Sequence, residues 1–180
     1  MPFIVGLGGT MRFGSSSERA LRIAMEHAGA RGAETLLIAG PRLDLPTYDP
    51  AVDPDAAAEY VIDAVERADG VILASPSYHG GMTGLLKNAL DHLEALRDRP
   101  RPYLRDRPVG LIATGDGWQG PNATLQALRL TVHALQGWPT PLGIAHNVTD
   151  SGVHAVRPQL ERMADQVLDL ATLREGAAVA

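Results

Sequence analysis

The chain has 180 residues, with 16 Lys and Arg against 21 Asp and Glu, a formal net charge of -5, no cysteine and 45% hydrophobic residues. That length suits one domain, expected over 1–180, with a core large enough to hold without cross-links. The lack of cysteine excludes disulfides, thiol nucleophiles and iron–sulfur clusters, and the mild acidity leaves no basic stripe for nucleic acid.

The opening Met1-Pro2-Phe3-Ile4-Val5-Gly6 has no basic segment followed by a long apolar core. No apolar run approaches the roughly 18 residues that span a bilayer. A cytoplasmic protein without membrane contact is therefore expected. Short, near-continuously apolar runs at 3–7, 35–39, 71–75, 109–114 and 142–145 read as strands buried on both faces. Five helical stripes alternate with them. Leu21, Ala24, Met25 and Ala28 mark the first. Ala57, Val61, Ala64, Val65 and Ala68 mark the second, with Asp53 as its N-cap and Pro54 at the first helical position. Leu86, Ala89, Leu90 and Leu93 mark the third. Thr124, Leu128, Thr131, Val132 and Leu135 mark the fourth. Leu160, Met163, Ala164, Val167, Leu168 and Ala171 mark the fifth, and the tail from Glu175 to Ala180 is expected to fray. Strands alternating with helices imply right-handed crossovers and a parallel, doubly wound α/β sheet. Ligands bind such sheets outside the carboxyl ends of the strands. The loops after strands one, three and four therefore carry the function.

The first loop reads Gly8-Gly9-Thr10-Met11-Arg12-Phe13-Gly14-Ser15-Ser16-Ser17-Glu18. A phosphate needs close backbone N–H groups, hydroxyl donors and a fixed positive charge. A helix N-terminus provides the first, and Arg12 provides the last. Ser15 with Glu18 also matches a capping box, which accounts for one serine but not for Thr10, Arg12 and Ser17 together. A carboxylate at Glu18 opposes a phosphate unless it points away. Other nucleotide fingerprints fit poorly. Met11 stands where a dinucleotide motif needs its third glycine, strand two ends in Ala39-Gly40 without an acid, and no Gly-Lys-Ser/Thr is present. Ser75 stands where a response regulator needs aspartate.

The loop after strand three runs Ser75-Pro76-Ser77-Tyr78-His79-Gly80-Gly81-Met82-Thr83-Gly84, then Leu85-Leu86-Lys87-Asn88-Ala89-Leu90-Asp91. Its glycines let main chain lie against a flat ligand, Tyr78 and His79 offer a ring face and a polar edge, and Thr83 is placed to cap the third helix. Pro76-Ser77-Tyr78-His79 followed by Gly84-Leu85-Leu86-Lys87-Asn88-Ala89-Leu90-Asp91 resembles the NADPH-dependent FMN reductase family. Gly9-Thr10-Met11-Arg12-Phe13-Gly14-Ser15-Ser16-Ser17 resembles that family's phosphate loop, with Thr10 in place of a serine and Ser17 in place of asparagine.

The resemblance implies a flavodoxin-like three-layer sandwich, a five-stranded parallel sheet of order 2-1-3-4-5 with helices on both faces. It implies that Thr10, Arg12, Ser15 and Ser17 hold the FMN phosphate. Pro76, Ser77 (through main chain), Tyr78, His79 and Gly80 would line the isoalloxazine. So would the loop after strand four, Thr114-Gly115-Asp116-Gly117-Trp118, through Thr114, Gly115 and Gly117. Main-chain N–H groups near Gly80, Gly115 and Gly117 are expected to face the charge of the reduced ring. Trp118 stacks on ligand, packs on a partner or sits in the core. Pro46 and Tyr48 fit the family's loop at the pocket mouth. Lys87, Asn88 and Asp91 are expected to serve the helix and the subunit interface rather than the site.

The implied activity is hydride transfer from NADPH (or NADH) to FMN, then electron delivery to a second acceptor: free flavin for a monooxygenase, a quinone, an azo compound or a metal oxyanion. The flavin carries the chemistry, so no catalytic side chain is expected. No metal site is expected either, since the histidines show no ligand spacing. A homodimer or homotetramer is implied, with Leu93 and Leu96 as its seam. The basic stretch 97–105 is read as a solvated loop or as reaching toward a neighbour or the NADPH phosphate. The alternative is a flavodoxin-like electron carrier that does not oxidise NADPH.

Overall fold

A computed structural model describes residues 1–178, of which 174–178 by backbone alone. The central strands β1 (Phe3–Gly8) and β3 (Gly70–Pro76) are buried along nearly their whole length. Both faces of each are covered, which is why they read as continuous apolar runs. β2 (Glu34–Ala39) was expected to be equally covered but forms the sheet edge, and Ile38 is its one buried residue. With β4 (Pro108–Gly115) and the short β5 (Trp138–Pro139) the parallel order is β2-β1-β3-β4-β5.

The fifth strand differs from the expectation of one run over 142–145. It is split into β5 and β6 (Ile144–Asn147), and both pair with β4. Val109 faces Pro139 while Ile112 faces Ile144, so the register slips between the pieces. Pro141 has no N–H to continue the ladder, and Thr140 Oγ1 donates instead to Leu142 O at 2.9 Å.

Alternate residues of the strands point to opposite faces. Val5, Leu7, Val71, Leu73, Val109 and Leu111 pack under α2 (Ala56–Arg67), α3 (Gly84–Asp91) and α4 (Gln119–Ala134). Ile4, Ile72 and Ile112 pack under α1 (Ser16–Ala30) and α5 (Arg157–Ala178). The three layers match the fold class read from the sequence. The fraying expected over 175–180 concerns in part Val179 and Ala180, which lie outside the described residues, and α5 is helical through Ala178.

Three local expectations are corrected. Asp55, not Asp53, caps α2, because its Oδ1 accepts from Ala58 N at 2.8 Å, and Pro54 therefore precedes the helix. α3 runs on through a 3₁₀ turn, His92–Leu96, that rolls Leu93 and Leu96 fully into the core. Those leucines cannot form a seam between subunits. Leu93→Ala is expected to destabilise the fold by about 2–5 kcal/mol, because it leaves a cavity, and thermal unfolding measures the loss.

The basic stretch is engaged within the chain at the amino ends of β3 and β4. Arg101 donates to Ala68 O at 3.2 Å, Arg105 to Gln136 at 2.8 Å, and Arg97 pairs with Glu94 at 2.9 Å. Beside them Arg107 is fully buried, its guanidinium donating to Glu66 O at 2.6 Å and to Ala68 O and Tyr103 O at 2.9 Å. It closes the carboxyl end of α2, where carbonyls lack helical partners. This edge is opposite to the carboxyl ends of the strands.

Candidate functional site

β1 ends at Gly8, where a Cβ would stand 2.0 Å from Ala74 O. Only glycine lets the chain turn so close to β3. Gly9 N then donates to Ala74 O at 3.0 Å. Thr10 Oγ1 accepts from Arg12 N at 3.0 Å and shapes the next turn. Ser15 caps α1, its Oγ accepting from Glu18 N at 3.3 Å and lying 3.2 Å from Ser17 Oγ.

The N–H groups of Ser16 and Ser17 open the helix and have no acceptor within it. Glu18 closes the capping box one residue earlier than expected, on Gly14 N at 2.8 Å, and pairs with Arg22 at 2.9 Å. Its carboxylate lines a separate recess beside Gly40. The anion that would have opposed a phosphate is thus turned away.

Thr10, Arg12, Ser15, Ser16 and Ser17 form one wall of an open cleft at the carboxyl edge of the sheet. Pro76, Ser77 and Tyr78 face them, and Thr114, Gly115, Asp116 and Val148 close the third side. The Arg12 guanidinium has no partner among the described residues. Tyr78 to Gly81 close a tight turn through paired 3.1 Å bonds, with His79 at φ 53 and Gly80 at φ 82. Positive φ at both central residues defines a primed turn, which favours glycine and small polar residues. His79 and Gly80 line an adjoining recess with Ser77, Tyr78, Asp116, Gln119, Gly120 and Ala123.

Two main-chain expectations change. The Ser77 N–H donates to Thr114 O at 2.7 Å, which leaves it unavailable to a ligand. Ser77 sits in a notch where a Cβ on Gly120 would approach its Oγ to 2.7 Å. The Gly117 N–H donates to Asn147 Oδ1 at 2.8 Å, and Gly117 does not line the cleft. Asn147, buried at the end of β6, also accepts from Thr149 N and Oγ1 at 3.1 and 2.7 Å. It fixes the loop after β4 from a segment with no motif. Asn147→Ala is expected to raise amide exchange at Gly117 and to cost about 0.5–1.5 kcal/mol, because it removes hydrogen bonds whose partly exposed donors can turn to solvent. Exchange mass spectrometry and thermal unfolding read both.

Trp118 is exposed in the loop after β4 rather than in the core. Asn88 holds the loop of Pro46 and Tyr48, accepting from Tyr48 N at 2.8 Å and donating to Pro46 O at 2.9 Å. Lys87 and Asp91 pair with each other at 2.6 Å on the surface of α3. Thr83 caps α3 as expected, accepting from Leu86 N at 3.2 Å. Among the described residues no cluster of three metal-ligating side chains forms, and no helix is long and apolar enough to cross a membrane.

The strand order, the donor-rich turn at the start of α1 and the flat slot beyond β3 and β4 define a flavodoxin-like protein. The sequence profile of the NADPH-dependent FMN reductase family matches residues 2–149, and the chain belongs to that family. It is 38% identical over 88 residues to an FMN-dependent NADPH-azoreductase of Staphylococcus haemolyticus, covering 49% of this chain and 43% of that protein. A second such azoreductase, from Staphylococcus aureus strain USA300, is 36% identical over 112 residues, covering 61% and 55%. The chain thus spans about half the length of the curated relatives it matches. The flavoenzyme NAD(P)H:(acceptor) oxidoreductase of Paracoccus denitrificans superposes with a TM-score of 0.74 at 19% identity, over 96% of this chain and 98% of that one.

Proposed function

We propose that the chain is an NAD(P)H-dependent FMN reductase, acting as a single FMN-binding unit. The observation that carries this reading is the free guanidinium of Arg12, which shares one cleft with four hydroxyl side chains while the neighbouring carboxylate of Glu18 is turned out. That donor set suits a phosphate dianion. Thr10, Arg12, Ser15 and Ser17 hold the phosphate, joined by Ser16, whose hydroxyl lines the same wall. Pro76, Ser77, Tyr78, His79, Gly80, Thr114 and Gly115 line the ring, and Gly117 acts by holding its loop in shape.

When bound, FMN supplies the redox chemistry, taking a hydride from NADPH and passing electrons to a second small molecule. The protein places the ring. The primed turn at 78–81 and the loop tied by Asn147 set the two sides of the slot, and the Tyr78 ring forms part of its mouth. An azo compound is the acceptor class that the relatives' own activity supports, and the exposed ring of Tyr78 on the cleft suits a flat aromatic substrate. A cytoplasmic homodimer or homotetramer completes the reading, the second copy covering that aromatic rim.

A visible spectrum of the purified protein supplied with FMN, followed by anaerobic NADPH titration, tests the proposal. A bound yellow chromophore that bleaches with NADPH and recovers with an azo dye is expected. Bound flavin that NADPH leaves oxidised makes the chain an electron carrier instead. A protein that stays colourless overturns both readings.

A further inference from the structure

The loop that forms the phosphate wall has a second side. Behind it lies a recess of about 450 Å³, floored by Leu37, Gly40 and Pro41 at the end of β2 and flanked by Phe13, Arg22 and Arg42. The two recesses share the loop as a common wall, because a Cβ on Gly40 would lie 3.6 Å from Thr10 O. Both open at the carboxyl edge of the sheet. The step from the β3–β4 gap to the β1–β2 gap is two strand spacings, about 10 Å.

Three ionised groups line this recess, and they do not cancel. Glu18 and Arg22 neutralise each other at 2.9 Å. Arg42, on the 3₁₀ turn Gly40–Leu43, is exposed and has no partner among the described residues. One guanidinium is therefore left over, on a chain whose formal charge is -5. β2 ends at Ala39 and Gly40 follows it, so no carboxylate stands where one would repel an anion or take a ribose hydroxyl. Phe13, 83% exposed at the tip of the loop, presents an aromatic ring at the rim. A free guanidinium and an exposed ring lining one recess suit a phosphorylated nucleoside: the base stacks and the phosphate is held by the guanidinium.

We infer that this recess takes the adenosine 2′-phosphate end of NADPH, with Arg42 on the phosphate and Phe13 on the adenine, so that it sets the preference for NADPH over NADH. The inference rests on the donor proposed above. The dinucleotide would lie along the sheet edge, crossing the phosphate loop between its nicotinamide and adenosine ends.

The test uses two readouts. In the first, calorimetry measures binding of adenosine 2′,5′-bisphosphate, adenosine 5′-monophosphate and inorganic phosphate to the protein without donor. The bisphosphate is expected to bind more tightly than the other two, and Arg42→Ala to weaken it about tenfold, as expected for losing a charge-assisted contact at an exposed site. Phe13→Ala is expected to weaken both adenosine ligands alike. In the second, the ratio of kcat/KM for NADPH to that for NADH is expected to fall about tenfold in Arg42→Ala. Equal binding of the bisphosphate and the monophosphate, or an unchanged ratio, overturns the inference. Intact bisphosphate binding in a protein that oxidises neither donor keeps the site and overturns only the proposed activity.

Discussion

Arg12→Ala is expected to weaken FMN binding by about 10- to 100-fold. The guanidinium lines the cleft without a partner among the described residues, so its removal breaks no contact among them. A hydrogen bond to a charged group contributes about 1.5–3 kcal/mol, which corresponds to that range of affinity. The backbone of the loop does not depend on the side chain, because the Arg12 N–H is held by Thr10 Oγ1 at 3.0 Å. Thermal stability of the apoprotein should therefore stay within about 0.5 kcal/mol, as for a surface substitution. Arg12→Lys should recover part of the affinity, since lysine keeps the charge but loses the fork. Quenching of FMN fluorescence on titration measures all three proteins. Unchanged affinity in Arg12→Ala removes this residue from the phosphate site.

Arg107→Met is expected to have the largest effect on stability, a loss of about 3–5 kcal/mol. Its guanidinium is fully buried and donates to three carbonyl oxygens, of Glu66, Ala68 and Tyr103. Methionine fills much of the space but leaves those acceptors without their donor, and removing one side of a buried polar arrangement carries about this cost. In a domain of this size, 1 kcal/mol moves Tm by about 2–4 °C, so a fall of roughly 10 °C is expected. Because Arg107 sits at the amino edge of the sheet, FMN affinity measured well below Tm should not change. A Tm shift under about 3 °C would show that the carbonyls find other donors.

The two expectations separate function from fold along the strand axis. The carboxyl edge holds unpaired donors, open to a ligand. The amino edge holds arginines committed to partners within the chain, Arg101 and Arg107 to backbone carbonyls and Arg97 and Arg105 to side chains. Both sets occur in the sequence as arginines near prolines, glycines and aromatic residues, and only Arg12 stands in a hydroxyl-rich loop that opens a helix. The stretch 97–105 reads in sequence as a solvated loop, or as reaching toward a neighbour or the NADPH phosphate. What decides between these readings is where β3 and β4 begin and end in space.

The same division runs through the site. The turn at 10–17 and the run from Pro76 to Asp91 were legible because each is local: glycines, hydroxyls and caps act within a few residues, and helix and strand periodicities need only near neighbours. Element order and the parallel sheet followed from that alternation alone. Asn147 and Val148 were not legible. They reach the site from β6, about 30 residues beyond the loop they support, with no motif to mark them. The outward turn of Glu18, decided by Gly14 and Arg22, also needed the folded backbone.

By itself, then, the sequence determined the elements, their alternation, the layered architecture and the donor-rich loops, since those rest on short-range propensity and periodicity. Only the tertiary structure decided which apolar residues are core, as with Leu93 and Leu96, and where strand five breaks. It also decided which arginines are spent on carbonyls and which remain free. Those outcomes depend on packing between segments far apart in the chain, and burial, not residue type, settles whether a polar group is committed or available.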